Sequence, residues 1–338
     1  MAYNAAHDKY RALWKRDEGP QVNGWKIDYS YYSPMDYGAD KDKKYPLCVV
    51  LVGALEGLVK GLEMQANEMP LWTADEYQQR FHNGACYMMI PRAPEETGLY
   101  WDASQLVEPL HGALVDFFDK HENVDTSRVY MLSWCVGALG GINFAASYPE
   151  MLAASVLMCP SRTMTDSEAL RVREMPIWMI TALTDTHAIY PLETLPTWNK
   201  LKKISVEPKN LRRTTFTRAL DVSLVPQATI SSNHNVWDWV SEDGHFVGPG
   251  VDHARIVSGS YKGMRTIDGT GEPIRDPYVI DWLNRFTNEG RTAIRLPLRN
   301  HTPVEKAHIW FHEGLSHWGR VTTFKALGHI YRALGWLE

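Results

Sequence analysis

Short runs of continuous apolar residues, each bounded by turn-forming residues, recur along this chain of 338 residues. They cover 45–54, 85–91, 128–134, 153–159, 176–183 and 307–311. A β-strand buried on both faces has such a continuous pattern, whereas a strand with one wet face alternates. Segment 103–121, which lies between two of these runs, has a helical period marked by Leu106, Leu110, Leu114 and Phe117. Strands that alternate with helices predict an α/β fold, with a mostly parallel central sheet flanked by helices.

The regular alternation stops near residue 201 and returns near residue 276. Between these points, residues 202–275 are richer in polar residues, glycine and histidine. We therefore predict a core formed by 1–201 and 276–338, with an insertion at 202–275 before the last core strand. The sequence leaves open whether this insertion caps the site or lies on a remote surface.

Composition excludes several classes of partner. The 35 basic and 40 acidic side chains give a formal net charge of -5, which argues against non-specific binding of nucleic acid. No run approaches the roughly 20 apolar residues of a membrane span, and the first residues lack the layout of a secretory signal. The four cysteines form no C-x-x-C pair, which is typical of reduced thiols. These features predict a cytoplasmic protein that acts on a small molecule.

One segment combines an apolar run with a potential nucleophile. In RVYMLSWCVGALGG, the run leads into Ser133, Trp134, Cys135, Val136 and Gly137, and then into a stretch of small residues. The spacing small-x-nucleophile-x-Gly is typical of a sharp strand-to-helix turn that presents a catalytic side chain. The N–H of the following residue would then lie at a helix N-terminus, which favours a thiolate and an oxyanion. The alternative is that the cysteine is simply a small buried hydrophobe.

An acid and a histidine follow in the chain order nucleophile, acid, base. Asp185 comes directly after the apolar run PIWMITAL, so it would lie at the carboxyl end of a strand, where α/β sheets keep their sites. His317 follows a predicted strand and a glycine-containing loop and is the first candidate for the base. Three other histidines remain alternatives: His234, His245 and His312.

Five blocks of sequence resemble the carboxylesterase group of α/β-hydrolases that includes feruloyl esterases and polyhydroxybutyrate-depolymerase-like esterases. The blocks are 43–57, 88–102, 124–160, 175–185 and 313–319, and the central one is the most specific. The resemblance implies an α/β-hydrolase fold and a catalytic triad of Cys135, Asp185 and His317.

The same resemblance implies an oxyanion hole. Its donors would be the N–H of Val136 and an N–H in the turn after the first central strand, at Ala54 or Leu55. The group usually has His-Gly at the end of that strand, where this chain has Val52-Gly53.

Two departures from the group fall in the nucleophile turn. Cysteine stands where the group has serine, and Ser133 stands where it has glycine. A Ser→Cys substitution made in the laboratory would explain the first departure but not the second, so two changes in one turn favour a naturally divergent branch. The predicted function is an acyl hydrolase that forms a thioester acyl-enzyme on an ester, thioester or amide. An acyltransferase with the same triad and a non-catalytic binding protein with the same fold remain alternatives.

Three tryptophans are predicted to line an apolar pocket: Trp101, which aligns with a tryptophan common in the group, Trp134 and Trp237. No motif indicates an organic cofactor. The histidines at 308, 312 and 317 do not have the H-E-x-x-H spacing of a zinc site, so no metal is predicted.

Overall fold

The protein is described from a computed structural model, which covers residues 7–58, 60–65, 69–94, 100–217, 234–241, 264–275 and 278–291. Nine strands form one sheet in the order β1-β2-β4-β3-β5-β6-β7-β8-β9. They are β1 (Lys15–Glu18), β2 (Asp28–Tyr32), β3 (Tyr45–Leu51), β4 (Tyr87–Arg92), β5 (Val124–Trp134), β6 (Ala154–Met158), β7 (Ile177–Ala182), β8 (Arg212–Phe216) and β9 (Met264–Asp268).

Six neighbouring strands in the middle of the sheet, in the order β4-β3-β5-β6-β7-β8, are parallel to one another. The pairs at both edges are antiparallel, since β2 pairs with β1 and β4, and β9 pairs with β8. Every residue of β3, β4, β6 and β7 is buried. This confirms the predicted mostly parallel sheet and the interpretation of continuous apolar runs as strands covered on both faces. The predicted strand at 307–311 lies outside the described residues.

The helices are α1 (Asp8–Arg11), α2 (Ala54–Leu58), α3 (Leu62–Gln65), α4 (Asp75–Gln78), α5 (Val107–Lys120), α6 (Val136–Ser147), α7 (Asp166–Arg171), α8 (Thr194–Ile204), α9 (Trp237–Ser241) and α10 (Val279–Leu283). Helix α5 confirms the helical period predicted for 103–121. Along β3 the side chains alternate between two apolar layers. Val49 packs with α5 and α6 on one face, and Val50 packs with α9 and α10 on the other. Among the described residues, no helix is both long and apolar enough to cross a membrane.

Two strands of the sheet fall within the predicted insertion at 202–275. Strand β8 extends the parallel sheet beside β7, and β9 pairs with β8. Strand β8 has the sequence RRTTF and alternates between buried and half-buried positions. It therefore lacks the continuous apolar run by which the inner strands are recognised. Residues 218–233 and 242–263, where a cap would lie, are outside the described residues.

Candidate active site

Cys135 occupies a sharp turn between a strand and a helix. Strand β5 ends at Trp134, helix α6 begins at Val136, and the cysteine between them has φ 54° and ψ -126°. This backbone conformation is disfavoured for a residue with a side chain and persists only where the surroundings impose it. One such restraint is the hydrogen bond from its N–H to the carbonyl oxygen of Met158, at the end of β6 (3.1 Å). The partly buried thiol is thereby held at the carboxyl edge of the sheet.

Two glycines of α6 explain the small residues around the turn. A Cβ at Gly137 would overlap the backbone carbonyl of Leu51 on β3, so only glycine lets the helix approach this closely. A Cβ at Gly141 would overlap the hydroxyl of Ser133. The serine that replaces the usual glycine is therefore accommodated because the helix opposite it has no side chain.

Asp185 lies in the turn that follows β7. One carboxylate oxygen, Oδ1, accepts the backbone N–H groups of His187 (2.7 Å) and Ala188 (3.1 Å). The other, Oδ2, lies 2.7 Å from Nδ1 of His234. A carboxylate only accepts hydrogen bonds, so Nδ1 of the imidazole must carry the proton. The carboxylate thus has both oxygens engaged and holds one histidine in one orientation.

The second ring nitrogen of His234, Nε2, is buried and has no hydrogen-bond partner among the described residues. The imidazole packs edge-on against Trp237 and is almost fully buried. Burial by itself would lower the pKa of His234, but the charge of the Asp185 carboxylate and its hydrogen bond raise this pKa well above its ordinary value. The arrangement therefore favours a protonated ring next to an anionic neighbour.

The structure pairs Asp185 with His234, which the sequence offered only as an alternative base. The first candidate, His317, lies outside the described residues, as do His245 and His312. His234 sits in the segment SSNHNVWDW just before α9, 49 residues from the acid in sequence. Strand β8 ends at Phe216, and residues 218–233, which connect it to His234, lie outside the described residues.

Cys159 is a residue of the site that sequence reasoning missed. It follows β6, is fully buried, and has a positive φ of 41°. Its thiol donates to the backbone carbonyl of His234 (3.3 Å) and so fixes the start of the segment that carries the imidazole. Burial raises the pKa of this thiol to about 11. The signal in the sequence was its place at the end of a strand neighbouring the nucleophile strand.

The potential ligand atoms of Cys159, Asp185 and His234 lie within 4.8 Å of one another. Such a set has the residue types of a metal site. However, the thiol of Cys159 already donates to a backbone carbonyl oxygen, and Nδ1 of His234 is hydrogen-bonded to Asp185. The hydrogen bonds among the three groups fit a supported Asp–His pair better than a ligand set.

The three predicted pocket tryptophans are buried. Trp134 is 0% exposed and stacks on Trp237, with ring centroids 5.7 Å apart and planes at 15°. Trp101 packs against α6, where a Cβ at Gly140 would come within 2.8 Å of its Cβ. Most of their surface therefore contacts protein, and their role in lining a pocket stays a prediction.

The predicted oxyanion donors begin two helices at the same edge of the sheet. Val136 is the first residue of α6, and Ala54 and Leu55 are the first two of α2. The first N–H groups of a helix have no acceptor within it. The two turns are adjacent, since a Cβ at Gly53 would lie 3.6 Å from the Cβ of Cys135.

Comparisons with known proteins concern the fold. Neither a protein-family model nor a curated protein sequence matches the chain. A solved structure described as a thermostable esterase is similar, with a TM-score of 0.56 and 21% identity. The match covers 70% of this chain and 62% of the esterase chain, so the two are alike over part of their lengths. The acylaminoacyl peptidase of Pyrococcus horikoshii matches with a TM-score of 0.49 and 12% identity, over 72% of this chain and 44% of the peptidase. Together with the parallel sheet and the strand–Cys135–helix turn, the likeness to the esterase shows that this chain has the α/β-hydrolase fold.

Proposed function

We propose that the protein is an acyl hydrolase in which Cys135 is the nucleophile, His234 the base and Asp185 the residue that orients the base. The observation that carries this proposal is the 2.7 Å contact between His234 and Asp185, which leaves Nε2 of the imidazole without a partner among the described residues. The strained turn at Cys135 lies at the same edge of the sheet. A nucleophile, a base and a group that orients the base are the parts needed for acyl transfer.

The first half of the reaction forms a thioester. The raised pKa of His234 favours the state in which the cysteine proton resides on Nε2, giving a thiolate beside an imidazolium. The thiolate sulfur forms a bond to the substrate carbonyl carbon, and the π electrons move onto the carbonyl oxygen. When this tetrahedral intermediate collapses, the carbon–oxygen bond to the alcohol breaks and Nε2 gives its proton to the leaving oxygen. The N–H groups of Val136 and of the Ala54–Leu55 turn stabilise the negative oxygen.

The second half releases the acyl group. Neutral Nε2 takes a proton from a water molecule as the water oxygen adds to the thioester carbonyl. The carbon–sulfur bond then breaks, a carboxylic acid leaves, and the thiolate–imidazolium pair is restored. An amine or alcohol in place of water would make the same intermediate the donor for acyl transfer. The substrates are therefore small esters, thioesters or amides.

The test is turnover of a panel of p-nitrophenyl esters, with the intact mass of the protein followed over time. We expect release of p-nitrophenol and an acyl adduct that maps to Cys135. Cys135→Ala should lower kcat by roughly 10⁴-fold or more and abolish the adduct. His234→Ala should lower kcat by roughly 10³-fold or more, while the matched variant His317→Ala should stay within about threefold of the wild type.

Each alternative has its own result. If His317→Ala lost activity while His234→Ala kept it, the base would be His317. If added amines or alcohols took up the acyl group faster than water did, the protein would be an acyltransferase. If the wild type gave neither turnover nor adduct across the panel, a binding protein that keeps the fold would replace the proposal.

A further inference from the structure

Glu56 is a carboxyl group beside the nucleophile that the triad does not use. It lies in α2, three residues after Gly53 at the end of β3. The position that a Cβ would take on Gly53 is 3.4 Å from Oε2 of Glu56 and 3.6 Å from the Cβ of Cys135. The carboxyl and the nucleophile therefore flank the same point. Neither composition nor motif singled this residue out.

The hydrogen bonds of Glu56 are unevenly divided between its two oxygens. Oε2 accepts the indole N–H of Trp134 (2.8 Å) and the backbone N–H of Gly53 (3.1 Å). Both partners can only donate, so Oε2 is an acceptor in either protonation state. Among the described residues, none hydrogen-bonds to Oε1. When the carboxyl is neutral, its proton must therefore be on Oε1.

The surroundings shift Glu56 towards its neutral form. Burial raises the pKa of Glu56, and the hydrogen bonds from Trp134 and Gly53 and the nearby His234 offset only part of that increase.

We propose that Glu56 acts as a neutral acid whose Oε1–H donates a hydrogen bond to the substrate carbonyl oxygen as that oxygen becomes negative. This role rests on the proposed acyl-enzyme reaction. It adds a side-chain donor at the turn where Val52-Gly53 replaces the usual His-Gly. The bond strengthens as charge develops on the oxygen, so it stabilises the transition state more than the bound substrate. Glu56 keeps its proton throughout and takes no part in activating the thiol.

Two variants of similar size separate this role from the others that a carboxyl can play. Glu56→Gln keeps an N–H donor and an acceptor oxygen but cannot ionise, whereas Glu56→Met has neither. On the p-nitrophenyl ester panel, we expect Glu56→Met to lower kcat by roughly 100- to 1,000-fold with little change in KM. Glu56→Gln should restore most of this loss and remain within about tenfold of the wild type. Thermal unfolding of both variants checks that they fold.

A second measurement needs no substrate. The rate of Cys135 alkylation by iodoacetamide is followed against pH, with the modified peptide identified by mass. Because a neutral Glu56 places no charge near the thiolate, the midpoint of this profile should be the same in the wild type and both variants.

The outcomes distinguish the two proposals. If the wild type turns over esters through Cys135 but Glu56→Gln is as damaged as Glu56→Met, the ionised carboxylate is needed as a base or a cation receptor, and the neutral-donor role is wrong. A clear shift of the alkylation midpoint to lower pH in Glu56→Gln would have the same meaning. If Glu56→Met matches the wild type, the residue has no role in the reaction. If the wild type shows no turnover dependent on Cys135, the acyl-enzyme proposal itself is wrong and the role of Glu56 goes with it.

Discussion

At the residue scale, the site depends on groups held in conformations that they would not adopt alone. Cys135 has a positive φ, and both carboxylate oxygens of Asp185 are hydrogen-bonded. His234 is buried with one nitrogen engaged and the other without a partner among the described residues. Because these side chains are already restrained, they lose little conformational freedom when a substrate binds.

The orientation of the imidazole can be tested at Asp185. Asp185→Asn keeps the size of the side chain but removes the charge that holds the proton on Nδ1 and stabilises the imidazolium. We expect kcat on the p-nitrophenyl esters to fall by roughly 10²- to 10⁴-fold. The exposed Asp42→Asn, which makes the same chemical change far from the site, should leave kcat unchanged. Equal kcat values for the two variants would contradict the role of Asp185.

The pH dependence of stability should carry the signature of His234. Because the folded protein raises the pKa of this histidine, its ion pair stabilises the fold fully below the unfolded pKa of about 6.5. The contribution is lost as the pH rises through the folded pKa, which lies well above 6.5. The difference in Tm between the wild type and His234→Gln should therefore be largest near pH 6 and should shrink towards pH 9. A difference that grew with pH would contradict the direction of the shift.

At the element scale, the contact between α6 and the sheet decides where Cys135 lies. The helix reaches β3 and β5 only because Gly137 and Gly141 have no side chains. The hydroxyl of Ser133 fills space that the helix leaves open. A change in this contact would alter both the stability of the fold and the position of Cys135.

Gly137→Ala tests this contact. Its Cβ would overlap backbone atoms of Leu51, which cannot move aside as a flexible side chain can. We expect a loss of roughly 2–4 kcal/mol in the free energy of unfolding, measured by urea denaturation, together with a large loss of activity. In the matched variant Gly112→Ala in α5, the new Cβ would come within 2.7 Å of a side-chain methyl of the half-buried Val22 and 3.8 Å of Pro20. These side-chain atoms can shift where the backbone of Leu51 cannot, and alanine favours the helix, so the loss of stability should be clearly smaller than that of Gly137→Ala. Similar losses in the two variants would show that the helix–sheet distance is not limiting.

At the scale of the whole molecule, the carboxyl ends and the amino ends of the central strands carry different groups. The carboxyl ends of β3, β5, β6 and β7 carry the reactive groups. At the opposite edge, the segment after α10 closes the loop that precedes β6. The guanidinium of Arg291 donates to the backbone carbonyls of Leu152, Ala153 (3.0 Å) and Pro149 (3.3 Å).

Arg291→Ala should therefore affect stability without affecting the chemistry. Its removal leaves buried carbonyl groups without donors, which costs roughly 1–3 kcal/mol for each group that water cannot reach. We expect a lower Tm, with kcat on the ester panel within about twofold of the wild type below that temperature. The exposed Lys202→Ala serves as the control for loss of a positive charge. A fall in kcat comparable to that of Asp185→Asn would show that the two edges are coupled.

Much of the fold could be predicted because a strand buried on both faces has a continuous run of apolar residues in the sequence. The runs that became β3 to β7, the helical period of α5 and the turn at Cys135 each lie within about 20 residues. Strand β8 and Glu56 have no such local pattern, because the role of a polar residue depends on neighbours that are remote in sequence.

The sequence by itself determined the parallel sheet, the strand–Cys135–helix turn and the place of Asp185 at the end of a strand. These follow from the alternation of side chains along the backbone and from the steric needs of a sharp turn, both of which are local. Only the tertiary structure decided that His234 meets Asp185, and that Glu56 lies against Trp134 beside the nucleophile. Such contacts join residues 49 and 78 positions apart. They form because folding brings the ends of different strands to one edge of the sheet, which no local pattern records.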